Sequence, residues 1–410
     1  MTFLKLGFRS LFRQKRRTTL TLVVITFGVG CLLLTMGHTA FVEWGLKEST
    51  IHSETGHLQI FNTAYFENEE DLILEHGLHN HAVIESALNQ MLDVQLVQAR
   101  TNLMGLISNG DKSVAFVGQA VEPEKEKQLR MMFFSSGASF DSLIAYQQEE
   151  DCVILGKGLA ESLKVEPGDW VTLMTNTADG ALNAIDVKVV DTVQSGSSEL
   201  DKRLVRIPMR TAGMLLNSDK VEKLLVTLDD TEKTEAMYEK ITDWARRNNY
   251  SITVRRWYEQ TRYYHQVRQF FFQITGFISI ILFIIVFFST SNTIMMSIVE
   301  RTREIGTLLS VGTSRFQTIK MFAFEGLFLG LIGGLLSIAF GYVLSNGINS
   351  LNITLPPPPG MLNEYQLSVR TEAVFYIPVF IVTVAVTIVS SLLPAMRVTR
   401  MKIVDALGHI

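Results

Sequence analysis

The sequence has few of the residues on which several protein classes depend. Its 410 residues include only two cysteines, Cys31 and Cys152, too few for a disulfide framework or a four-cysteine zinc site. Lys and Arg number 37 against 41 Asp and Glu, so the net charge of -4 lacks the basic excess that nucleic-acid binding requires. We therefore expect two isolated thiols and no nucleic-acid partner.

The sequence also lacks the motifs that bind nucleotides or support hydrolysis. A phosphate-binding loop follows G-x-x-x-x-G-K-[ST], and the segment GKGLAES at Gly156 has neither the upstream glycine nor the Ser or Thr after its lysine. H-E-x-x-H and G-x-S-x-G are absent too. We expect no catalytic residue, metal or cofactor in this chain, so any ATP and Mg²⁺ that drive it must be bound by a partner chain.

Two isolated features leave alternatives open. His76, His79 and His81 are spaced closely enough to converge on a metal, but their polar surroundings are more typical of a solvated loop. Glu325 lies near the start of the third apolar run described below. It is either a buried ionisable group with a functional role or a group close enough to the interface to reach water.

Hydrophobic residues make up 47% of the chain, and they are concentrated in four runs. The apolar core of a bilayer, about 30 Å thick, needs about 20 helical residues. The four runs, each long enough to span, are residues 18–42, 270–299, 321–345 and 373–396. The first run is longer than a signal peptide core of about 7–15 residues and lacks a cleavage site, which favours a retained anchor over a cleaved signal.

Basic residues flank these runs on one side of the membrane. They are Lys5, Arg9, Arg13, Lys15, Arg16 and Arg17 in the head, Arg301, Arg303, Arg315 and Lys320 after the second run, and Arg397, Arg400 and Lys402 after the fourth. Because basic loops stay in the cytoplasm, the sequence predicts three cytoplasmic segments, residues 1–17, 300–320 and 397–410. Residues 43–269 and the loop 346–372 are then predicted outside.

The segment 43–269 is long enough to form a folded ectodomain. Alternating stretches such as HLQIF, SVAFVGQAV, VTLMTN and IDVKVVDTV predict strands, whereas AVIESALNQML and TEAMYEKITDWARRNN predict amphipathic helices. The middle of the segment, about residues 119–213, is rich in predicted strands and is interpreted as an inserted subdomain. The predicted fold is an α-helical membrane protein with four transmembrane helices and an α+β ectodomain.

The segment between the second and third runs has a distinct pattern. Mixed charges at helical spacing are followed by apolar residues, a glycine and a basic restart, which predicts a short amphipathic helix on the cytoplasmic membrane face. Its interpretation is either a docking helix for an ATPase or a juxtamembrane loop. The candidate coupling residues are Glu300, Arg301, Arg303, Glu304, Ile305, Gly306, Leu309, Gly312 and Arg315.

Three segments resemble signatures of one family. ERTREIG with its VG turn and GLIGGLL, the head LGFRSLFRQKRRTTLTL, and the end LLPAMRVTRMKIVDAL are similar to the permease subunits of the MacB, LolC/LolE and FtsX group of ABC transporters. The ectodomain segments NLMGLISNGDKSVAFVGQAVEPEKE, VILGKGLAESLKVEPGDWVTL and VQSGSSELDKRLVRIPMRTAGMLL most resemble the lipoprotein-releasing LolC/LolE branch. Asp191, where that branch has glycine, and the four prolines Pro356, Pro357, Pro358 and Pro359 depart from it.

The resemblance implies a permease that a separate ATPase drives by mechanotransmission. It implies a MacB-type periplasmic domain, a porter-like unit with the β-rich insertion. It also implies that the first and second membrane helices continue past the membrane as a stalk, over about residues 41–53 and 257–269. Its expected partners in a bacterial inner membrane are two copies of a cytoplasmic ATPase, a second permease, identical or homologous, and a periplasmic lipoprotein carrier or adaptor. The expected function is lipoprotein extraction; the alternatives are MacB-like efflux through an adaptor and FtsX-like signalling.

Aromatic and aliphatic residues at the outer ends of the first two spans are candidates for a substrate gate, or are interfacial anchors. They are Phe41, Trp44, Leu46, Phe270, Phe271, Phe272 and Phe277. The loop Pro356–Pro359 is interpreted as a spacer between helices, or as a rigid polyproline II ledge or docking surface.

Overall fold

The computed structural model of the chain describes residues 7, 13–66, 74–133, 151–194, 197–355 and 365–398. The chain divides into two compact units. The helical unit comprises Met1–Trp44, Gln266–Leu355 and Gln366–Ile410, and the ectodomain unit comprises Gly45–His265 with Pro356–Tyr365.

The described α-helices are α1 (Lys15–Thr50), α2 (His81–Asn89), α3 (Pro123–Phe133), α4 (Lys157–Leu163), α5 (Ser198–Asp201), α6 (Met209–Leu216), α7 (Thr234–Arg247), α8 (Arg262–Glu300), α9 (Thr302–Ser310), α10 (Arg315–Ser350) and α11 (Ala373–Val398). The described strands are β1 (Leu58–Asn62), β2 (Val94–Ser108), β3 (Ser113–Val121), β4 (Cys152–Gly156), β5 (Trp170–Asn176), β6 (Leu182–Val193), β7 (Leu204–Pro208), β8 (Lys223–Leu228), β9 (Ile252–Arg256), β10 (Thr354–Leu355) and β11 (Tyr365–Gln366). A π-helical turn, Ile51–Thr55, follows α1.

Four helices, α1, α8, α10 and α11, are long and apolar enough to cross a membrane. Helix α1 has 36 residues and α8 has 39. At about 1.5 Å per residue, both exceed the roughly 30 Å that a bilayer core requires. Helix α8 begins at Arg262, whereas residues Trp257–Glu259, predicted to be helical with it, form a separate 3₁₀ turn.

Helices α10 and α11 pack through small residues. Gly326, Gly330 and Gly334 of α10 lie against α11, whereas Gly333, Ser337 and Gly341 of the same helix lie against α1. On α11, Thr383, Thr387 and Ser391 are buried, and each hydroxyl donates to a carbonyl oxygen of its own helix. Their polar groups are therefore satisfied without water, as the membrane interior requires.

The ectodomain unit is organised around the 15-residue strand β2. Its first half belongs to an antiparallel sheet of order β2-β8-β1-β9, in which Gln98 lies opposite Leu225. Its second half pairs with β3 and β5, and the order β2-β3-β7-β4-β6-β5 returns to β2. The second half is therefore part of a closed six-stranded barrel.

Each of these two parts has its own apolar core. The core of the four-stranded sheet includes Leu58, Ile60, Val97, Leu224, Val226, Met237 and Ile241, contributed by the strands and by α7. The barrel core includes Leu103, Ile107, Phe116, Val153, Leu155, Leu173, Val187, Val205 and Ile207. Residues of the barrel strands alternate between this core and the outer surface because side chains of a strand point to opposite faces in turn.

The barrel differs in extent from the predicted inserted subdomain at about residues 119–213. Its core already includes Leu103 of β2, and residue 119 lies within β3. At the other end the core reaches Leu215 of α6. The alternating pattern predicts that β3 is a strand. It does not show which strands pair, so it could not predict that the end of β2 joins the barrel.

Gly105 permits the close approach of β2 and β5. A Cβ at this position would lie 2.1 Å from the carbonyl oxygen of Met174. We expect Gly105→Ala to lower the free energy of unfolding of the barrel by about 3 kcal/mol, since backbone must move. Chemical denaturation followed by tryptophan fluorescence measures this effect.

The matched control is Gly213→Ala in α6. Its nearest atom to an added Cβ is the Ser218 carbonyl oxygen at 3.4 Å, an ordinary contact. Alanine is favoured over glycine within a helix by about 1 kcal/mol, so this variant should be neutral or more stable. Equal stability of the two variants would contradict the close approach at Gly105.

Candidate functional site

Helix α9 lies between the second and third long helices and buries one face. Thr302, Ile305, Gly306 and Leu309, at i, i+3, i+4 and i+7, point inward. Ile305 and Leu309 join an apolar cluster with Ile294, Ile298, Met321, Phe322, Leu329 and Ala395. The sequence pattern of a short amphipathic helix is thus matched by a helix whose apolar side packs on the long helices.

Both ends of the turn after α9 are fixed by capping. Gly312 has a φ of +102°, a left-handed conformation that favours glycine. The amide of Thr313 donates to the carbonyl of Leu308 at 3.0 Å, and the amide of Gly312 to that of Leu309 at 3.2 Å. This Schellman arrangement ends α9 and turns the chain at a defined angle.

Helix α10 then starts with a capping box. The hydroxyl of Ser314 accepts from the amide of Gln317 at 3.2 Å, and the Gln317 side-chain oxygen accepts from the amide of Ser314 at 2.9 Å. The sequence signature S-x-x-Q was available for this feature. The geometry of the turn is therefore set by local bonds.

Ion pairs tie the basic head to this element. The guanidinium of Arg13 donates to both carboxylate oxygens of Glu304, at 3.0 and 2.6 Å. Arg17 lies 3.0 Å from Glu300, and the Nε of Arg301 lies 3.2 Å from Glu304. The carboxylates of Glu300 and Glu304 therefore pair with basic residues of the same chain.

Glu304 is electrostatically coupled to its partners. Hydrogen bonding to Arg13, followed by that to Arg301, holds the pKa of the Glu304 carboxyl below its usual value. The ion pair thus stabilises the folded chain above the ordinary carboxyl pKa, and this contribution is lost as the pH falls through the lowered value. Because the side chains are 63% and 44% exposed, its size is small, about 1 kcal/mol or less.

The exposed side of α9 and of the turn after it is more apolar than the predicted coupling residues alone indicate. Val311 is 82% exposed and Phe316 is 64% exposed, and Leu308 is also exposed. The ammonium of Lys320 lies 4.7 Å from the centre of the Phe316 ring. We call the exposed residues Arg303, Leu308, Val311, Arg315 and Phe316 the coupling face.

The predicted coupling residues therefore separate into three groups. Glu300, Arg301 and Glu304 form ion pairs within the helical unit. Ile305, Gly306 and Leu309 face the inside of the unit. Arg303, Gly312 and Arg315 are exposed.

Helices α1 and α8 run antiparallel and touch at successive levels. The hydroxyls of Thr21 and Thr293 lie 2.5 Å apart, and those of Thr39 and Thr275 lie 3.3 Å apart. Glu43 pairs with Arg268 at 2.8 Å. The two helices are therefore in contact along the length that the candidate gate residues share.

The candidate gate residues form two aromatic pairs and one separate contact. The rings of Phe41 and Trp44 lie 6.3 Å apart, and those of Phe270 and Phe271 lie 6.0 Å apart. The side chains of Phe270, Phe272 and Phe277 on α8 are largely exposed. Leu46 belongs to the ectodomain unit, where it packs on Ile51, Trp257 and Tyr264.

The structure gives different answers for the proline loop, the metal site and Glu325, which the sequence left open. Pro356–Pro359 lies outside the described residues, as do Arg400 and Lys402. Within the part of the chain that the structure describes, no group of three or more His, Cys, Asp or Glu residues is placed to hold a metal ion. Glu325 is only 4% exposed, so its carboxyl group is buried, and its functional role stays a prediction.

Sequence reasoning missed the partners of the coupling element. From the sequence, Arg13 and Arg17 indicate only membrane orientation, and Arg13 precedes α1, which begins at Lys15. Val311 lies between the last apolar position of α9 and Gly312, and the helical pattern does not show that it is exposed. The pairing of Arg13 with Glu304 joins residues 291 positions apart, so no local signal could reveal it.

The four long apolar helices, with a folded unit after the first, are typical of an integral membrane protein. The amphipathic α9 lies between two spans and has an open outer face. A family model for the FtsX-like permease C-terminal domain matches residues 276–403, and one for the MacB-like periplasmic core domain matches residues 18–244. The chain belongs to the ABC transporter permeases that combine these two domains.

The chain is also similar to individual proteins. The lipoprotein-releasing system transmembrane protein LolC of Neisseria meningitidis is 22% identical, over 98% of this chain and 98% of that one. LolE of Haemophilus influenzae is 21% identical over 80% of each. The periplasmic region of MacB from Actinobacillus actinomycetemcomitans has 14% identity and a TM-score of 0.34, covering 52% of this chain and 95% of that one.

Proposed function

We propose that this chain is the permease subunit of a transporter that extracts lipoproteins, or similar lipid-anchored molecules, from the periplasmic leaflet of a bacterial inner membrane. The supporting observation is the similarity to a lipoprotein-releasing permease over nearly the whole of both chains. The similarity to that permease therefore covers both the membrane-spanning helices and the ectodomain. In this proposal residues 43–269 lie in the periplasm.

The cargo explains why an energy source is needed. Moving acyl chain from a bilayer into water costs about 0.8 kcal/mol per methylene, so a lipoprotein with several chains would resist release by tens of kcal/mol. Shelter from water is therefore needed at each stage. We assign the first shelter to the outer ends of α1 and α8, where Phe41, Trp44, Phe270 and Phe271 are placed.

The energy is proposed to come from two copies of a cytoplasmic ABC ATPase, which hold ATP and Mg²⁺. This chain has no phosphate-binding loop of its own. The ATPases close on ATP and push the coupling face, and α9 transmits the push to the long helices through Ile305 and Leu309. The contacts of α1 with α8 make these helices move together.

The complete transporter is proposed to contain two permease chains, identical or homologous. Helix α8 is compatible with this assignment because its apolar side chains are mostly exposed, including Phe272, Phe277 and Phe288. Lipid and the second permease both suit such a surface. A periplasmic carrier receives the cargo.

A transfer assay tests the proposal. The complex with its ATPase, reconstituted in proteoliposomes containing an acylated lipoprotein, should release the lipoprotein to a soluble lipoprotein carrier only when ATP is hydrolysed. Release without ATP, or ATP hydrolysis without release, contradicts lipoprotein extraction. A periplasmic adaptor that copurifies would instead favour MacB-like efflux, and a copurifying cell-wall hydrolase would favour FtsX-like signalling.

A further inference from the structure

The end of α1 is joined to β1 by an unusual connection. The π-helical turn Ile51–Thr55 is followed by Gly56, whose φ is +62°. π turns are rare and occur frequently at functional sites. His52 in the turn and His57 before β1 are 4% and 1% exposed, and their ring centres lie 5.5 Å apart. Two imidazoles are therefore buried side by side where the helix meets the sheet.

A chain of hydrogen bonds passes through the two histidines. The backbone amide of Leu228 donates to Nδ1 of His57 at 3.0 Å. Because a backbone amide is always a donor, Nδ1 has no proton and the ring proton is on Nε2, which donates to the Thr231 hydroxyl at 3.1 Å. That hydroxyl donates to Glu48 at 3.4 Å, and His52 Nε2 donates to the same carboxylate at 3.1 Å. The network connects the last turn of α1 to β1 and to the segment after β8.

A second proton on His57 would disrupt this network. It would place an N–H on Nδ1 directly opposite the donating amide of Leu228. The bond to Leu228 must then break, and a buried charge is left without an acceptor at that nitrogen. Burial, with smaller contributions from His52 and Lys47, accordingly lowers the pKa of His57 to about 3. Burial also lowers the pKa of His52, against the opposing effect of Glu48.

The charged surroundings do not offset this penalty. The groups facing His57 are Lys47 and Glu48 of α1, His52 of the π turn, and Asp229 and Asp230 after β8. Asp229 and Asp230 favour a proton on His57, but these effects are smaller than those of burial, His52 and Lys47. Asp229 is also engaged by Lys233 at 2.8 Å.

We propose that Glu48, His52, His57 and Thr231 form a proton-sensitive lock, which holds the end of α1 on the ectodomain sheet while both histidines are neutral and opens in acid. Above the unfolded pKa of about 6.5 a histidine is neutral in both states, so its lowered folded pKa does not destabilise the folded state. The penalty grows as the pH falls from there towards the folded pKa. At about pH 5 the opening constant is therefore expected to rise about 30-fold.

Hydrogen exchange measured by mass spectrometry tests the lock in the purified full chain. The amides of residues 51–57 and 226–231 are followed at about pH 7.5 and about pH 5, each corrected for intrinsic exchange. We expect about 30-fold more opening in both segments at the lower pH, with β4 of the barrel unchanged. Equal protection at the two pH values would overturn the proposal.

Two variants assign the effect to the lock. His57→Asn keeps an oxygen acceptor for the amide of Leu228 but takes up no proton, so the acid-induced opening should fall to about threefold or less. His79→Asn, at an exposed histidine, should keep the wild-type response. The exchange of β4 at neutral pH reports whether each variant is folded.

A second substitution covers the case in which His57→Asn does not fold. His52→Gln keeps a donor for Glu48 and removes the neighbouring ring, so it should reduce the acid response. A full wild-type response in either folded variant would overturn the lock. Any consequence for transport rests on the proposed function, whereas this measurement uses no ATPase or cargo, so the two can fail separately.

Discussion

Gly330→Leu should abolish the stable packing of α10 against α11. A Cβ at Gly330 would lie 2.2 Å from the Thr387 hydroxyl oxygen and 2.9 Å from the Cα of Val384. The second of these atoms is backbone, so the helices must separate to admit the side chain. Helices within a bilayer associate largely through close packing of small residues. We expect a loss of at least about 3 kcal/mol, seen as a lower melting temperature and aggregation during detergent gel filtration.

The matched control for this prediction is Gly347→Leu on the same helix. Nothing lies within 4 Å of a Cβ added at Gly347. The control changes the same residue type by the same volume, so it should keep the wild-type melting temperature and elution profile. Wild-type behaviour of Gly330→Leu would show that α10 and α11 are not closely packed at this point.

Features of the fold that depend on local pattern follow from the sequence. The four long helices are predictable because about 20 consecutive apolar residues have few alternatives to spanning a membrane. Strands such as β3 and β6 follow from alternation. Barrel closure does not, because it requires Arg100–Ser108 of β2 to pair with β3 while Val94–Arg100 pairs with β8. Gly105 permits this arrangement, but a single glycine in a strand has many explanations.

The candidate site likewise combines features that follow from the local sequence with features that depend on long-range contacts. The amphipathic pattern of α9 and the glycine after it predict a short helix and its end. The pattern does not show that Glu304 is engaged by Arg13, because that ion pair depends on how α1 packs. The buried pair His52 and His57 was equally unpredictable, since its environment is created by Leu228 and Thr231, more than 170 positions away.

Val311→Glu combined with Phe316→Glu should uncouple the ATPase from the permease. Both side chains are highly exposed, so the substitutions leave the packing of Ile305 and Leu309 intact. In the proposed function they face the ATPase, and an unpaired carboxylate buried in that interface costs several kcal/mol. We expect recovery of the ATPase with the permease and ATP-driven lipoprotein release to fall by at least about tenfold.

Two controls separate docking from folding. Val83→Glu introduces the same charge at an exposed position of α2 in the ectodomain and should leave ATPase recovery unchanged. Glu304→Gln removes the exposed ion pair with Arg13, worth about 1 kcal/mol or less, so ATPase recovery should change only a few-fold. If Glu304→Gln releases the ATPase while the Val311 and Phe316 variant retains it, the ion-paired carboxylate rather than the coupling face is the docking element. The predicted role of the charged residues would then be right, and the apolar contacts of Val311 and Phe316 would belong to the membrane surface.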